Sequence, residues 1–416
     1  MTQVAGQRVV VIGAGIVGVC SALCLQRDGF QVTLVERAGP GEGASFGNGA
    51  VIGEAAVVPV ATPGLLRKVP GMLLDPRGPL ALRWSYLPRI APWLLRFAAA
   101  SRPERVEAIS IALAALLEGS FAAFDRLLEA AGAADMLRRT GWLCVYETEA
   151  GLEAYRPMLE LQRRRGVSFD ILNRDGLREF EPALGPIFAR ALYYPDVGYA
   201  LDGLRLVQVL AEAFGRRGGT LKRAEARGFE IGPDGPRAVL TEAGPVPCDA
   251  VVIAAGAWSK RLAAGLGGRL PLDTERGYHV QFAAPGVAPR LPVYSTERGI
   301  IATPLEVGLR VGGTVELGGL KAAPNWDRAR VLLEQAKRWF PGLRTEGHSR
   351  WMGFRPSMPD SLPVIGRSPR FSNAIFAFGH GHCGMMMGAR TGEIVAALLA
   401  GRDPGLDMTP YRADRF

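Results

Sequence analysis

The stretch "RVVVIGAGIVGVCSALCLQRDGFQVTLVER" (8–37) limits the fold more than any other part of the chain. Residues 8–12 are a short β-branched run and read as a buried parallel strand. Gly13, Gly15 and Gly18 form GxGxxG between that strand and a helix-like run over 16–28, which Gly29 ends. Residues 31–35 read as a second strand closed by Glu36. Strand, glycine turn, helix, strand and acid in this order make a βαβ unit for a dinucleotide. The first glycine permits the tight turn, the second lets backbone approach a pyrophosphate, and the third lets helix and strand pack closely. The helix N-terminus offers free N–H groups and a partial positive charge. Glu36 stands where an acid bonds a ribose hydroxyl pair, which disfavours a 2′-phosphate. We assign Gly13, Ala14, Gly15, Ile16, Gly18, Glu36 and Arg37 to cofactor binding. The unit alone does not choose between NAD and FAD.

The rest of the chain holds no second GxGxxG unit. "CDAVVIAAGAWSKRL" (248–262) reads as a strand ending in small residues at Gly256, then a helix, and it follows a β-meander-like stretch. "NAIFAFGHGHCGMMMGARTGEIVAALLAG" (373–401) is again strand, glycine turn and helix. One nucleotide site fed from both chain ends suits one large, tightly held cofactor.

At 416 residues the chain suggests two domains. It is 48% apolar and 21% charged, which allows a large core and argues against disorder. The net charge of +9 contains no like-charge run beyond Arg163, Arg164 and Arg165, and no nucleic-acid motif appears. Five cysteines with no CxxC fit a reduced compartment, and Cys20 and Cys24, one helical turn apart, read as core. His380 and His382 lack an acidic cluster, so no metal site is expected. The start "MTQVAGQ" shows no secretory pattern, and no segment reaches the roughly 20 apolar residues of a spanning helix. A cytoplasmic location is expected.

"WMGFRPSMPDSLPVIG" (351–366) places Arg355 in an apolar, proline-rich setting. A buried guanidinium is costly without an anion. Either a protein carboxylate such as Asp360 answers it, or it waits for an anionic ligand.

These segments together resemble the FAD-dependent D-amino-acid dehydrogenases, within the D-amino-acid oxidase, glycine oxidase and sarcosine oxidase superfamily. The resemblance runs along nearly the whole chain. It includes "SFGNGAVI" (45–52), "ERGYHV" (275–280), "IATPLEVGLRVGGTVELGG" (301–319), "GFRPSMPDSLPVIG" and "GHGHCGMMMGARTG". It implies non-covalent FAD, with Ser45, Asn48, Gly381 and Gly384 added to Gly256 and the residues above. It implies that Arg355 binds a substrate α-carboxylate, a match of guanidinium fork and carboxylate. Tyr278 is the second expected catalytic contact, with Tyr199 and His380 as further pocket candidates. His382 and Cys383 depart from the family's threonine–leucine type pair, and Tyr199 and Ala200 from its small polar pair, so substrate identity does not carry across.

The implied reaction is oxidation of the Cα–N bond of a D-amino acid by hydride transfer to flavin N5, giving an imino acid and then a 2-oxo acid and ammonia. No dedicated base is evident. The alternatives are a D-proline or cis-4-hydroxy-D-proline dehydrogenase, a sarcosine- or glycine-type oxidase using oxygen, and a flavin-binding subunit of a hetero-oligomer. Without an NAD domain, electrons are expected to leave to a quinone or another carrier. Residues 80–100, "LALRWSYLPRIAPWLLRFAAA", interleave Trp84, Trp93 and Phe97 with Arg83, Arg89 and Arg96. They suggest either peripheral contact with the inner face of the cytoplasmic membrane or a cap over the substrate cleft, with Pro88 and Pro92 breaking any continuous helix.

The expected architecture is α/β: a Rossmann-like FAD-binding domain (1–80, 186–270 and 345–416) interleaved with an α+β substrate domain (81–185 and 271–344) built on an antiparallel sheet. Within the latter, 325–340 reads as an amphipathic helix whose Val331, Leu332, Ala336 and Trp339 pack inward.

Overall fold

The computed structural model describes residues 6–416. Residues 1–5, read above as leading without a secretory signal into the first strand, lie outside the described residues. The βαβ unit forms as expected: strand Arg8–Ile12, helix Ile16–Arg27 and strand Gln31–Glu36. Strand Arg8–Ile12 is central in a six-stranded sheet. Its order is 220–223, 31–36, 8–12, 250–253, 374–378 and 364–367, all parallel except the last. The apolar runs do not alternate with polar residues because both faces are covered. Val9, Val11, Leu34 and Val252 pack under helices 16–27, 203–216 and 384–399. Val10, Val35, Val251 and Ile253 pack under the three-stranded meander 226–247 and helix 259–265.

The second sheet has nine strands. Eight run in the order 349–357, 273–282, 308–317, 300–305, 293–295, 142–146, 190–194 and 170–172, and strand 80–82 pairs beside 308–317. It is mostly antiparallel, with two parallel junctions, 142–146 beside 293–295 and 80–82 beside 308–317. Helix Asp327–Trp339 covers one face, burying Val331, Leu332, Ala336 and Trp339 as its periodicity predicts. The other face turns toward the cofactor domain.

The expected domain boundaries shift in three places. Strand Arg190–Tyr194 pairs with 142–146, and strand Ser349–Ser357 pairs with 273–282, so both belong to the nine-stranded sheet rather than the cofactor domain. Helices 103–117 and 120–131 pack on helix 384–399 and so leave the expected substrate domain. Strand pairing and helix docking are non-local, and sequence runs do not report them. The stretch Pro103–Ala131 is long and apolar enough to span a membrane by composition, contrary to expectation. It is broken at Gly119, which takes a left-handed conformation, and it is half buried inside the protein.

Residues 80–100 also differ from expectation. Leu87–Ala100 is one helix that begins with Pro88 in its first turn and tolerates Pro92 within. Trp93 is buried, stacks on Phe97 at 5.2 Å, and donates its indole N–H to the Ser357 carbonyl at 3.2 Å. Arg83 pairs with buried Glu316 at 2.5 Å and is not part of a free basic face.

Helices 16–27 and 384–399 meet closely. A Cβ on Gly392 would lie 2.7 Å from the Cys20 carbonyl oxygen, and one on Gly388 would lie 2.9 Å from Ile16. Replacing Gly392 by Leu should force these helices apart and cost about 1–3 kcal/mol. The check is the midpoint of urea unfolding of the holoprotein. An unchanged midpoint would show that the crossing is slack.

Candidate active site

A cleft of about 930 Å³ opens at the carboxyl ends of the parallel strands and reaches the seam with the nine-stranded sheet. Its floor is the glycine turn. Gly13 has φ 103° and a Cβ there would strike the Ala254 carbonyl oxygen at 2.5 Å, while a Cβ on Gly18 would meet the Gly13 carbonyl oxygen at 1.8 Å. Gly15 instead faces open cleft, with only Ser45 Oγ 3.4 Å from a Cβ placed on it. Tight turn, close helix packing and open cradle therefore fall on the three glycines in the expected order. Ser45 Oγ accepts from the Ile16 N–H at 3.1 Å and ties the loop after the acid to the helix start.

Glu36 borders the cleft and also braces it. Its carboxylate accepts from the Ala14 N–H at 2.7 Å and the Ala38 N–H at 3.0 Å. Arg37 lies over the Trp258 ring at 3.7 Å, and Gly256 lines the same region. Asn48, Gly381 and Gly384 line the far end. Ala14 and Gly18 do not line the cleft; they sit behind its floor. These features fit an elongated dinucleotide: a side-chain-free cradle at Gly15 for the pyrophosphate, Glu36 for the ribose, and the Arg37–Trp258 wall beside it.

The far end is where the two sheets meet. The Gly381 N–H donates to the Pro356 carbonyl at 2.8 Å, and Ser357 bridges to His380. Asn48 Nδ2 donates to the His382 carbonyl at 3.3 Å. Buried Arg310 donates to the Phe46 and Asn48 carbonyls at 2.6 and 3.1 Å, holding the wrapping loop against the second sheet. His279 stacks on Trp351 at 5.1 Å beneath that loop.

Arg355 projects from the seam strand. Its guanidinium donates to the carbonyls of Thr314 at 2.9 Å and Gly313 at 3.4 Å. It makes no ion pair among the described residues. Asp360, the internal partner weighed above, is taken by Arg415 at 2.8 Å. Burial lowers the Arg355 pKa while nearby Glu275 and Tyr294 raise it. His382 faces the same space. Its side chain is exposed, and the protein atoms around it together with the Arg355 charge lower its imidazole to about 4. Arg355, His382, Tyr294 and Gly277 thus border one chamber next to the cleft. Tyr294, stacked on Trp142 at 5.5 Å with 2° between the rings, is half-buried, and the same burial raises its phenol.

Three expected site residues lie elsewhere. Tyr278 points to the opposite face of the sheet and packs with Val280 and Trp339. Its hydroxyl donates to Glu316 and accepts from the Asn325 N–H at 2.8 Å, so it cannot reach a substrate at Arg355. The reason is parity. Gly277 faces the chamber, so its neighbour in the strand faces away. Tyr199 is buried among core side chains with Leu206 and Leu305. His380 borders the cleft, but its imidazole bonds Thr391 Oγ1 at 3.0 Å in the interior, and burial lowers it to about 3. Conversely, sequence reasoning missed Glu275 and Tyr294, and noted His382 only as a departure. Glu275 sits two residues before Gly277 and so shares its face, a signal present in "ERGYHV".

Gly277 carries the geometry of Arg355. A Cβ there would lie 2.3 Å from Arg355 Nη2, so the guanidinium rests directly on the glycine. Gly277→Ala should displace it from the two carbonyls and lower kcat/KM about tenfold or more through lost charged hydrogen bonds. Flavin content should be unchanged. Steady-state kinetics on flavin-matched samples check this, and undiminished kcat/KM would show that Arg355 is not held by that contact.

The family model described as FAD dependent oxidoreductase matches residues 8–398. The chain is 40% identical over 421 residues to a D-amino-acid oxidase of Bradyrhizobium diazoefficiens, covering 99% of each. It is 33% identical to D-amino acid dehydrogenase 2 of Ralstonia nicotianae, over 98% of this chain and all of that protein. Among solved structures it is similar to glycine oxidase from Geobacillus kaustophilus, with TM-score 0.76, 23% identity and 99% of each chain covered. It is likewise similar to L-proline dehydrogenase from P. horikoshii, with TM-score 0.74, 22% identity and coverage of 99% and 98%. With a matching model over nearly its whole length and a cleft shaped for the dinucleotide, the chain belongs to the FAD-dependent oxidoreductase family represented by these enzymes.

Proposed function

We propose that this enzyme oxidises the Cα–N bond of a D-amino acid, giving an imino acid that hydrolyses to a 2-oxo acid and ammonia. The observation that carries the reading is the Arg355 guanidinium, half-buried next to the FAD cleft and without an ion-pair partner among the described residues. The names of the relatives at 40% and 33% identity support the D-amino acid. Bound FAD supplies the two-electron acceptor. Arg355 holds the α-carboxylate, and the fixed guanidinium presents Cα toward the cleft, so that positioning provides much of the rate. His382 is uncharged at neutral pH because its pKa is about 4, so it adds no second cation beside Arg355. The stacked Trp142 and Tyr294 form an apolar wall for the substrate side chain.

Anaerobic mixing with a panel of D- and L-amino acids, D-proline, cis-4-hydroxy-D-proline and sarcosine should bleach the oxidised flavin band with D-amino acids. Arg355→Ala should retain flavin and lose at least roughly a hundredfold in kcat/KM, as expected for removing a bidentate charged contact. Bleaching by sarcosine alone, or full activity of Arg355→Ala, would overturn the reading. Turnover by the single chain with a dye acceptor would exclude an obligatory partner subunit.

We further propose that the reduced enzyme passes electrons to a membrane quinone while resting on the inner face of the cytoplasmic membrane. The support is the exposed composition of helices Leu65–Leu74 and Leu87–Ala100 and of the segment between them. The first buries no residue, and Leu74, Trp84 and Leu95 are 83%, 69% and 73% exposed. Exposed Arg67, Lys68, Arg77, Arg89 and Arg96 surround them. Apolar side chains among cations suit an anionic bilayer. The 40% identical relative is named an oxidase, which favours oxygen as a second acceptor, and hydrogen peroxide yield separates the two. The enzyme should co-sediment with anionic vesicles at low salt, and Arg89→Gln combined with Arg96→Gln should weaken this severalfold. Equal sedimentation with neutral vesicles, or none, would remove the membrane role.

A further inference from the structure

Glu275 stands directly opposite Arg355 in the antiparallel register of strands 273–282 and 349–357. Side chains so paired leave the sheet on one face with Cβ atoms about 4.5–5.5 Å apart. The two charges nevertheless do not close on each other. Arg355 leans across Gly277 to the carbonyls of the next strand. Glu275 makes no ion pair among the described residues, and its one polar side-chain neighbour besides Arg355 is the buried Ser357 hydroxyl, which has no other partner. Both charged groups are half-buried. Burial raises the Glu275 carboxyl, while Arg355 pulls it the other way.

Two opposite charges, each desolvated and neither paired, are a costly arrangement for a protein alone. A dipolar ligand removes the cost, because a zwitterion offers a carboxylate to one and an ammonium to the other. On the amino-acid reading above, the α-carboxylate goes to Arg355. The α-nitrogen, two bonds from the carboxylate carbon, then lies on the side of the neighbouring strand position. We infer that Glu275 is a catalytic residue that binds the substrate's α-ammonium group and takes its surplus proton. The N–H bond breaks with its electron pair left on nitrogen, and an O–H bond forms on the Glu275 carboxyl. The amine becomes neutral and able to expel hydride from Cα, and the proton returns to solvent after product leaves. Of the other titratable groups near Arg355, His382, with a pKa lowered to about 4, is a weaker proton acceptor than a carboxylate raised by burial, and Tyr294 keeps its proton. The same carboxylate repels acids that lack an amine, so it selects amino acids over 2-hydroxy acids.

The inference rests on the amino-acid reading, and the test separates the two. 2-Aminoisobutyrate and 2-hydroxyisobutyrate both lack a Cα–H, so neither is oxidised, and they differ in the group offered to Glu275. Their dissociation constants are read from the perturbation of flavin absorbance in the FAD-loaded enzyme. Wild type should bind the amino acid at least about tenfold tighter, the scale of one hydrogen-bonded charge. Glu275→Gln should abolish that preference, keep or improve binding of the hydroxy acid, and lower kcat/KM for the best D-amino acid roughly 10- to 100-fold. Equal affinities in wild type, or parallel loss of both ligands in Glu275→Gln, would overturn the role, the latter showing that Glu275 only props Arg355. The wild-type comparison decides alone if Glu275→Gln fails to retain FAD. A flavin that no amino acid reduces would instead remove the underlying reading.

Discussion

The active site depends on one backbone contact, the Gly381 N–H held by the Pro356 carbonyl. Pro356 ends the edge strand of the nine-stranded sheet, and Gly381 begins the turn into helix 384–399 of the cofactor domain. With the Ser357–His380 bridge beside it, the bond joins the backbones of the two sheets. It places Arg355, one residue earlier, next to the cleft that Phe354 and Pro356 line. It also fixes the loop that presents His382 to the same space. Positioning within fractions of an ångström is what the substrate role proposed for Arg355 requires, and a backbone bond between rigid elements supplies it better than a loop.

Arg355 illustrates how a buried charge is kept available. Two carbonyl acceptors offset part of its desolvation, but neither carries a formal charge, so attraction for an incoming carboxylate survives. Glycine at 277 gives it room to lie across the strand. On the opposite face of that strand the chain does the reverse. Glu316 is enclosed by Arg83, Arg276 and Tyr278, a set whose charges answer one another. One sheet thus has a paired polar network on the side covered by helix 327–339 and, on its other side, Arg355 and Glu275 without an ion pair among the described residues.

Much of the cofactor site was legible in the sequence, because its signals are local. Gly13, Gly15, Gly18 and Glu36 lie within one βαβ unit, and each has a job that follows from backbone geometry. Arg355 was legible for another reason: a guanidinium in an apolar stretch demands an explanation wherever it sits. The substrate chamber was less legible. Tyr278 was expected beside Arg355 because "ERGYHV" resembles the family's glycine-aromatic strand beside the substrate pocket, but strand parity sends it to Glu316. His380 and Tyr199 were plausible by proximity in sequence, and each is buried in the interior.

The chain alone determined the dinucleotide fold, which follows from turn geometry and apolar patterning, and it marked Arg355 as a cation in need of an anion, while the flavin family was read from the resemblance of its motifs. Only the tertiary structure decided that Asp360 belongs to Arg415, that strands 190–194 and 349–357 join the second sheet, and that Glu275 stands opposite Arg355. Those are statements about register between segments tens to hundreds of residues apart. A slip of one residue in that pairing would exchange the chamber face for the covered face at every position.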